Sequence, residues 1–252
     1  MTRLQAILAL SGFSAVGCGG DVRLGPGTYA EEVRVDGPVL WLRLDDGEGP
    51  IAHDELDIHD ATYPSTGLIR DVAGAVVADR NAAVSLSGVS SLRLPPGLDF
   101  AGTSPFTLEL WVKPARYDEQ TGVGFVLDHQ SYEPRSGYTL RVSGDDVALE
   151  RWAGDSTFGS NATDPHPLAL DTWHHVAATF DGKSLELYVD GRHAASNGVP
   201  TPMPPMTDTW TLGGPNCDCS ANFFAGALDE VALYDRSLSP ERVHVHFAAS
   251  GR

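Results

Sequence analysis

The segment Glu55-Leu-Asp-Ile-His-Asp60 gathers three carboxylates and an imidazole within six residues. Along an extended strand, residues two apart share a face, so Glu55 and Asp57 would stand side by side. Paired carboxyls about 5–5.5 Å apart are what retaining cleavage of a glycosidic bond requires. The competing reading is a solvated acidic loop, because the following Ala61-Thr-Tyr-Pro64 reads as loop. A second set could hold a sugar without cutting it. Trp152, Tyr132, Tyr117 and Phe158 fall at strand ends or in loops, with His129, Gln130 and Asn161 as polar neighbours in sequence. Rings stack on a sugar's apolar face, while amides and imidazoles meet its hydroxyls. The same aromatics could instead cap the end of a sheet. His174 and His175 are adjacent and would point to opposite faces of a strand. His244 and His246 lie where the chain reads as helix, so all four histidines are read as non-catalytic. No P-loop, dinucleotide fingerprint or Gly-x-Ser-x-Gly elbow is present.

The whole chain narrows the classes that these groups could serve. It has 252 residues, with 17 basic against 34 acidic side chains and a formal net charge of −17. Unassisted nucleic-acid binding needs clustered cations and is excluded as a working hypothesis. A polybasic hold on anionic lipid fails for the same reason. The carboxylate surplus permits Ca²⁺ binding without requiring it, since acidic surfaces also keep exported domains soluble. With 27 glycines and 17 prolines, the composition favours a turn-rich β protein over a helix bundle.

Residues 1–17 read as a secretory signal: one Arg3, then a short apolar run too brief to span a bilayer. The run ends Ala15-Val16-Gly17-Cys18, which resembles the lipobox of bacterial lipoproteins, where the cysteine is lipidated and becomes the new N-terminus. Gly rather than Asp at position 19 then implies an outer-membrane or cell-surface lipoprotein, with a periplasmic location as the alternative. Residues 18–37 are expected to be a flexible tether. Cys217 and Cys219 remain as a pair in an oxidising compartment. A disulfide within the loop is the favoured reading, with free thiols and then a metal behind it, because zinc would need two further ligands.

The elements that must position these groups are mostly strands. Strand patterns recur about every ten residues, the rhythm of a sandwich or barrel. They cover 39–44, 83–87, 91–94, 106–113, 124–128, 138–142, 147–152, 173–180, 184–189, 192–196, 209–212 and 223–234. The clearest alternation puts Phe106, Leu108, Leu110 and Val112 on one face and Thr107, Glu109, Trp111 and Lys113 on the other. Asp181-Gly182 and Asp190-Gly191 read as tight hairpin turns. Ser239-Pro240 starts a short terminal helix, with serine as N-cap and proline in the first turn. Trp41, Trp111 and Trp173 fall in strand motifs and read as core.

Taken in order, several of these motifs resemble a known family. They are Leu40-Trp-Leu-Arg-Leu44, Asn81-Ala-Ala-Val84 followed by Gly88, the 106–114 strand and Trp173-His-His-Val-Ala177. The pair Phe180-Asp-Gly182 and Tyr188-Val-Asp-Gly191 follows, and then the run from Phe224 to Leu238. The set is similar to bacterial laminin-G-like domains of the concanavalin A-like jelly-roll superfamily and covers roughly residues 38–250. The resemblance implies an all-β antiparallel sandwich over 38–252 with a short C-terminal helix. It also implies calcium held by Asp229, with Asp54, Asp60 and Asp79 as further ligands if the N-terminal loops fold against the last strand. His175 matches a structural position of the family. The 55–60 segment resembles the Glu-x-Asp-x-x-Glu strand of related glycosidases, but Asp60 is one methylene short. It also lies in the domain's first connection, whereas those enzymes carry the motif on a central strand. The leading expectation is a non-enzymatic, surface-anchored module that binds glycan or protein, in adhesion for example. The alternatives are a glycosidase or polysaccharide lyase using Glu55 and Asp57, and a structural envelope domain that meets only other proteins.

Overall fold

The computed structural model describes residues 27–118, 120–132, 134–154, 159–198, 201–217 and 220–252. In chain order the elements are α1 (Tyr29–Val35), β1 (Leu40–Leu42), β2 (Ile51–Ala52), β3 (Ala61–Thr62), β4 (Leu68–Ala73), β5 (Ala82–Ser87) and β6 (Leu92–Arg93). Next come β7 (Phe106–Arg116), β8 (Val123–Tyr132), β9 (Arg135–Ser143), β10 (Val147–Ala153) and β11 (Ser160–Asp164). The last are β12 (His174–Phe180), β13 (Ser184–Val189), β14 (Arg192–Gly198), β15 (Thr211–Leu212), β16 (Ala225–Tyr234) and α2 (Pro240–Ala249). They form two eight-stranded antiparallel sheets. The first runs β14-β13-β12-β7-β16-β5-β4 with β1 also paired to β16, and the second runs β11-β10-β9-β8-β15-β6-β3-β2. The all-β sandwich with a short terminal helix is the architecture the sequence implies.

Two cores follow from the alternation of β7. Phe106, Leu108, Leu110 and Val112 meet the inner face of the second sheet, where Leu127, Tyr138, Leu140, Val142 and Leu149 pack against them. The other face of the same strand, which carries Glu109 and Trp111, is buried as well. It belongs to a second core with Trp41, Trp173, Tyr188, Tyr234, Tyr29, Val33 and Val243. The last three come from α1 and α2, so both helices lie on the outer face of the first sheet. A strand buried on both faces forfeits the polar side that an exposed sheet would show.

Residues 27–37 correct the expected tether. Thr28 and Glu31 form a reciprocal capping box, and the helix buries Tyr29 and Val33 against the sheet. Thr28-x-x-Glu31 is the signature that could have revealed it. A seven-residue helix is marginal alone, so its packed face rather than its propensity keeps it folded. Residues 28–36 are therefore packed as part of the domain. At the other end Ser239 caps α2 as expected, accepting from the Arg242 amide.

The two Asp-Gly turns differ. Asp190 and Gly191 both take positive φ, 50° and 70°, the pairing a two-residue hairpin needs. Gly191 is required twice over, because a Cβ there would come within 2.7 Å of the Phe247 side chain on α2. At the other turn only Gly182 has positive φ. Asp181 instead accepts the Lys183 and Ser184 amides, each at 2.8 Å, in a longer Asx-type turn.

Candidate functional site

The two outer faces of the sandwich have opposite fates. On the first sheet a buried polar network lies under the helices. Glu109 is fully buried and receives His175 Nε2 at 2.7 Å, His246 Nδ1 at 2.9 Å and the Tyr234 hydroxyl at 3.0 Å. His246 Nε2 faces Asp36 at 2.9 Å, so both of its ring nitrogens meet carboxylates, an arrangement that favours the imidazolium. Burial alone would raise the Glu109 carboxyl. The charge of His246 and the hydrogen bonds from both histidines outweigh that and hold it well below the carboxylate range. Burial likewise opposes the His246 charge, yet Glu109 and Asp36 raise its pKa above 6.5. Arg242 adds bonds to Asp36 at 2.7 Å and Glu32 at 2.8 Å. This network ties α1 and α2 to the sheet, beside a small depression of about 210 Å³ lined by Tyr29, Asp79 and Ala249.

A second network occupies the region expected to hold calcium. Asp229 accepts the Ala75 amide at 2.7 Å and Asn81 Nδ2 at 3.1 Å. A bulge gives Glu230 a φ of 50° and brings it to Asn81 as well, at 2.8 Å. Arg43 lies between Glu230 at 2.9 Å and Asp79 at 2.5 Å. The Trp41 indole donates to Glu230 at 2.8 Å. Burial raises both Asp229 and Glu230, and their mutual charge adds to Asp229. Asp54 works as a turn organiser, accepting the amides of Trp41, Leu56, Ile58 and His59. Asp60 accepts the Asp54 amide at 2.9 Å.

Among the described residues no group of three or more His, Cys, Asp or Glu side chains could hold a metal. The four aspartates are not brought together as a ligand set, which corrects the expected arrangement. Ca²⁺ takes six to eight oxygens, and these are committed to N–H donors and to the Arg43 guanidinium, which supplies the positive charge instead. Melting with and without EDTA is expected to give the same midpoint. A drop on chelation that Ca²⁺ restores would return the metal to this chain.

The second sheet keeps its outer face open, and strand register fixes what that face shows. One unbroken row crosses all eight strands: Asn161, Glu150, Thr139, Asp128, Thr211, Arg93, Thr62 and Ile51. Directly paired residues share a face, so the row is one continuous polar stripe ending at an isoleucine. Arg93, Thr62 and Ile51 are exposed, while Asp128, Thr139 and Thr211 are buried beneath the 213–217 segment. Asn216 donates its amide to Asp128 at 2.8 Å, and Thr211 donates to the Gly214 carbonyl at 2.7 Å. Burial pushes the Asp128 carboxyl up to about 6, against the bonds from Thr139, Asn216 and Tyr132. Beside the row, Arg141 is bidentate on Asp146, at 2.5 and 3.2 Å, and reaches Glu150 at 2.7 Å.

The expected sugar platform is only partly assembled. Tyr132 is 40% exposed on this face and donates to Asp128 at 3.2 Å. Asn161 ends the row, its Oδ1 buried with no hydrogen-bond partner. Trp152 is on the same face, but Arg135 sits 3.5 Å from its ring centroid and Gly159 packs against the ring. Its stacking surface is thus engaged by its own chain. His129 is a correction: it is buried in the core, stacked on Trp210 at 4.3 Å, with Nε2 on the Asp208 carbonyl at 2.8 Å. Burial lowers its pKa. Gln130 is also buried and bonds Thr139 and Arg135. Tyr117 bonds the Leu168 carbonyl and lines a separate depression with Arg141 and Asp146. Phe158 and Cys219 lie outside the described residues, as does Cys18. Cys217 is disulfide-bonded.

Glu55 and Asp57 do not pair as a nucleophile and helper on a strand. Both are exposed in the connection between β2 and β3; Glu55 salt-bridges Arg34 of α1 at 3.0 Å and Asp57 takes a φ of 57°. The strongest features of the open face escaped the sequence reading. They are Arg93 and the depression of about 440 Å³ that it lines beside the 62–66 loop. The flanking Leu92 and Leu94 face the core and turn Arg93 outward, which is the signal that could have found it.

Comparison with known proteins agrees with this architecture. No curated protein sequence matches the chain. Among solved structures it is similar to the binding domain of Paraclostridial Mosquitocidal Protein 1, with a TM-score of 0.67 and 15% identity over 83% of this chain and 51% of that one. It is similar to domain 4 of AbnA, a GH43 extracellular arabinanase from Geobacillus stearothermophilus solved with arabinotriose. There the TM-score is 0.62, with 19% identity over 83% of this chain and 97% of that domain. The botulinum neurotoxin serotype G binding domain aligns with a TM-score of 0.66 and 12% identity over 84% of this chain and 50% of that one. The chain thus spans about half the length of the two toxin domains, and at these identities the likeness is one of fold. A laminin-G-type family model matches residues 86–244, more than half of the chain. Two apposed antiparallel sheets, helices over one and an open polar face on the other, are how this member of the concanavalin A-like lectin/glucanases superfamily is built.

Proposed function

We propose that the chain is a non-enzymatic binding module that recognises carbohydrate through the open outer face of its second sheet. The observation that carries this reading is the asymmetry of the sandwich. The first sheet's outer face is largely covered by α1 and α2, whereas the second presents a polar row, exposed at Arg93 and Thr62, and an adjoining depression that both of them line. Polar groups in register, with apolar walls beside them, match the alternating surfaces of a sugar. The arabinotriose complex of a similarly folded domain supports the assignment of this fold to glycan binding. Catalysis has little to work with. Asp128, the open-face carboxyl with a pKa near that of a general acid, is buried and bonded by Thr139, Asn216 and Tyr132.

Lipidation at Cys18 would hold the module at the cell envelope, on the outer membrane or cell surface, in a role such as adhesion. Ten positions separate Cys18 from the helix cap at Thr28. Even fully extended, that stretch reaches at most about 35 Å, so the domain would stay close to the membrane. A glycan array probed with residues 27–252 is expected to retain at least one glycan class, without release of reducing ends. An array with no signal, together with recovery of an envelope protein in a pull-down, would overturn the carbohydrate reading.

A further inference from the structure

The depression beside the 62–66 loop has a lining unlike the rest of this acidic chain. Its volume is about 440 Å³, and no Asp or Glu is among its described lining residues. That is notable for a chain with 34 acidic against 17 basic side chains. Hydroxyls of Thr62, Ser90 and Ser91 lie on one side, while Phe223 and Pro215 form apolar wall. Arg93 stands in the same lining and in the middle of the open row, between Thr62 and Thr211. It is exposed, and its side chain makes no hydrogen bond or ion pair with a described residue.

The comparison with the other large depression is instructive. There, in about 460 Å³, the arginine is Arg141, whose charge is already met by Asp146 and Glu150. Arg93 has no such counter-ion among the described residues. Arg70 lies on the far side of the loop, 3.8 Å over the Tyr63 ring, where Glu48 shares its depression and Asp46 accepts the Tyr63 hydroxyl. Its guanidinium bonds only the backbone carbonyls of Gly47 and Gly49.

We infer that this depression binds a saccharide carrying a single carboxylate, with Arg93 as its anchor. This rests on the carbohydrate reading above and narrows it. The planar guanidinium fork fits a carboxylate through two parallel N–H bonds. The serine and threonine hydroxyls suit ring hydroxyls, and the phenylalanine and proline suit the apolar edge. The net charge of −17 sets the limit on size. A long polyanion meets repulsion from the rest of the surface, whereas one carboxylate held against Arg93, well within the Debye length of about 8 Å at physiological salt, feels that guanidinium first. The ligand is thus a terminal or isolated acidic sugar, a uronate or a sialate, rather than a sulfated polymer.

Calorimetric titration of the full chain tests this with matched pairs that differ by one carboxylate: sialyllactose against lactose, and galacturonate against galactose. One acidic sugar is expected to bind about tenfold or more tightly than its neutral partner, and which one binds separates sialate from uronate. Arg93→Gln is expected to erase that difference by weakening the acidic sugar alone, with an unchanged melting midpoint. Equal binding of acidic and neutral sugars, or an Arg93→Gln variant that binds like wild type, would overturn the acidic-sugar assignment while leaving the carbohydrate module standing. Binding of an acetylated glutamyl tripeptide with no binding of any of the four sugars would sink both. Silence from all probes overturns the inference, and the glycan array then decides the wider reading by itself.

Discussion

Replacing Glu109 with glutamine is expected to destabilise the fold by about 3–5 kcal/mol, the cost of leaving a buried charge without its partner. Glutamine keeps the shape and can still accept from His175 and Tyr234. It cannot balance His246, whose two ring nitrogens face Glu109 and Asp36 at 2.9 Å each. Urea denaturation reads the effect directly. A loss under about 1 kcal/mol, the scale of a solvent-screened pair, would show that the network is not acting as a buried one.

The same groups set a pH dependence whose sign can be worked out. His246 has its folded pKa raised above 6.5, so its contribution is complete below that value and is lost as pH rises through the raised one. Glu109 has its folded pKa lowered below 4.5, so its contribution is complete above that value and is lost as pH falls through the lowered one. Asp128, raised to about 6 by burial, holds a proton in the folded chain that the unfolded chain releases, and the burial of Glu230 acts in the same direction. They also subtract stability as pH rises through that range. The urea midpoint should therefore be higher near about pH 5.5 than near about pH 8, and Glu109→Gln should flatten the part of that slope that belongs to His246.

A chain beginning at residue 38 is expected to be several kcal/mol less stable than one beginning at residue 27. Deleting α1 removes Tyr29 and Val33 from the second core, each worth about 1.5–3 kcal/mol of apolar burial. It also removes Asp36 and Glu32, the partners of His246 and Arg242, and uncovers part of the core around Trp41 and Trp111. Chemical denaturation of the two chains side by side is the measurement, with limited proteolysis of α2 as a second readout. Equal midpoints would mean that the helix rests on the sheet without supporting it, and that the domain does begin at residue 38.

The sequence by itself determined the architecture, because the signals that specify it are local. Period-two alternation in β7, the Asp190-Gly191 turn and the Ser239-Pro240 cap each act within a few residues. In those cases the structure follows the pattern. Short strands such as β2 and β3, two residues each, carried no readable pattern. The α1 helix had a capping signature but too little length to announce itself outside its tertiary setting.

The site was decided only by tertiary structure. Glu109, His175, His246 and Asp36 are far apart in the chain, and only the docking of two helices turns an ordinary alternating face into a sealed ionic core. The four aspartates expected to gather on calcium are instead committed to backbone amides, Asn81 and Arg43, through partners that sequence spacing cannot indicate. His129 and Trp152 are engaged by their own fold, while Arg93, one polar residue between two leucines, emerges on the open face with no side-chain partner among the described residues. Alternation tells which side of a strand a residue takes. Only the packing of sheets, helices and loops decides which of those sides meets water.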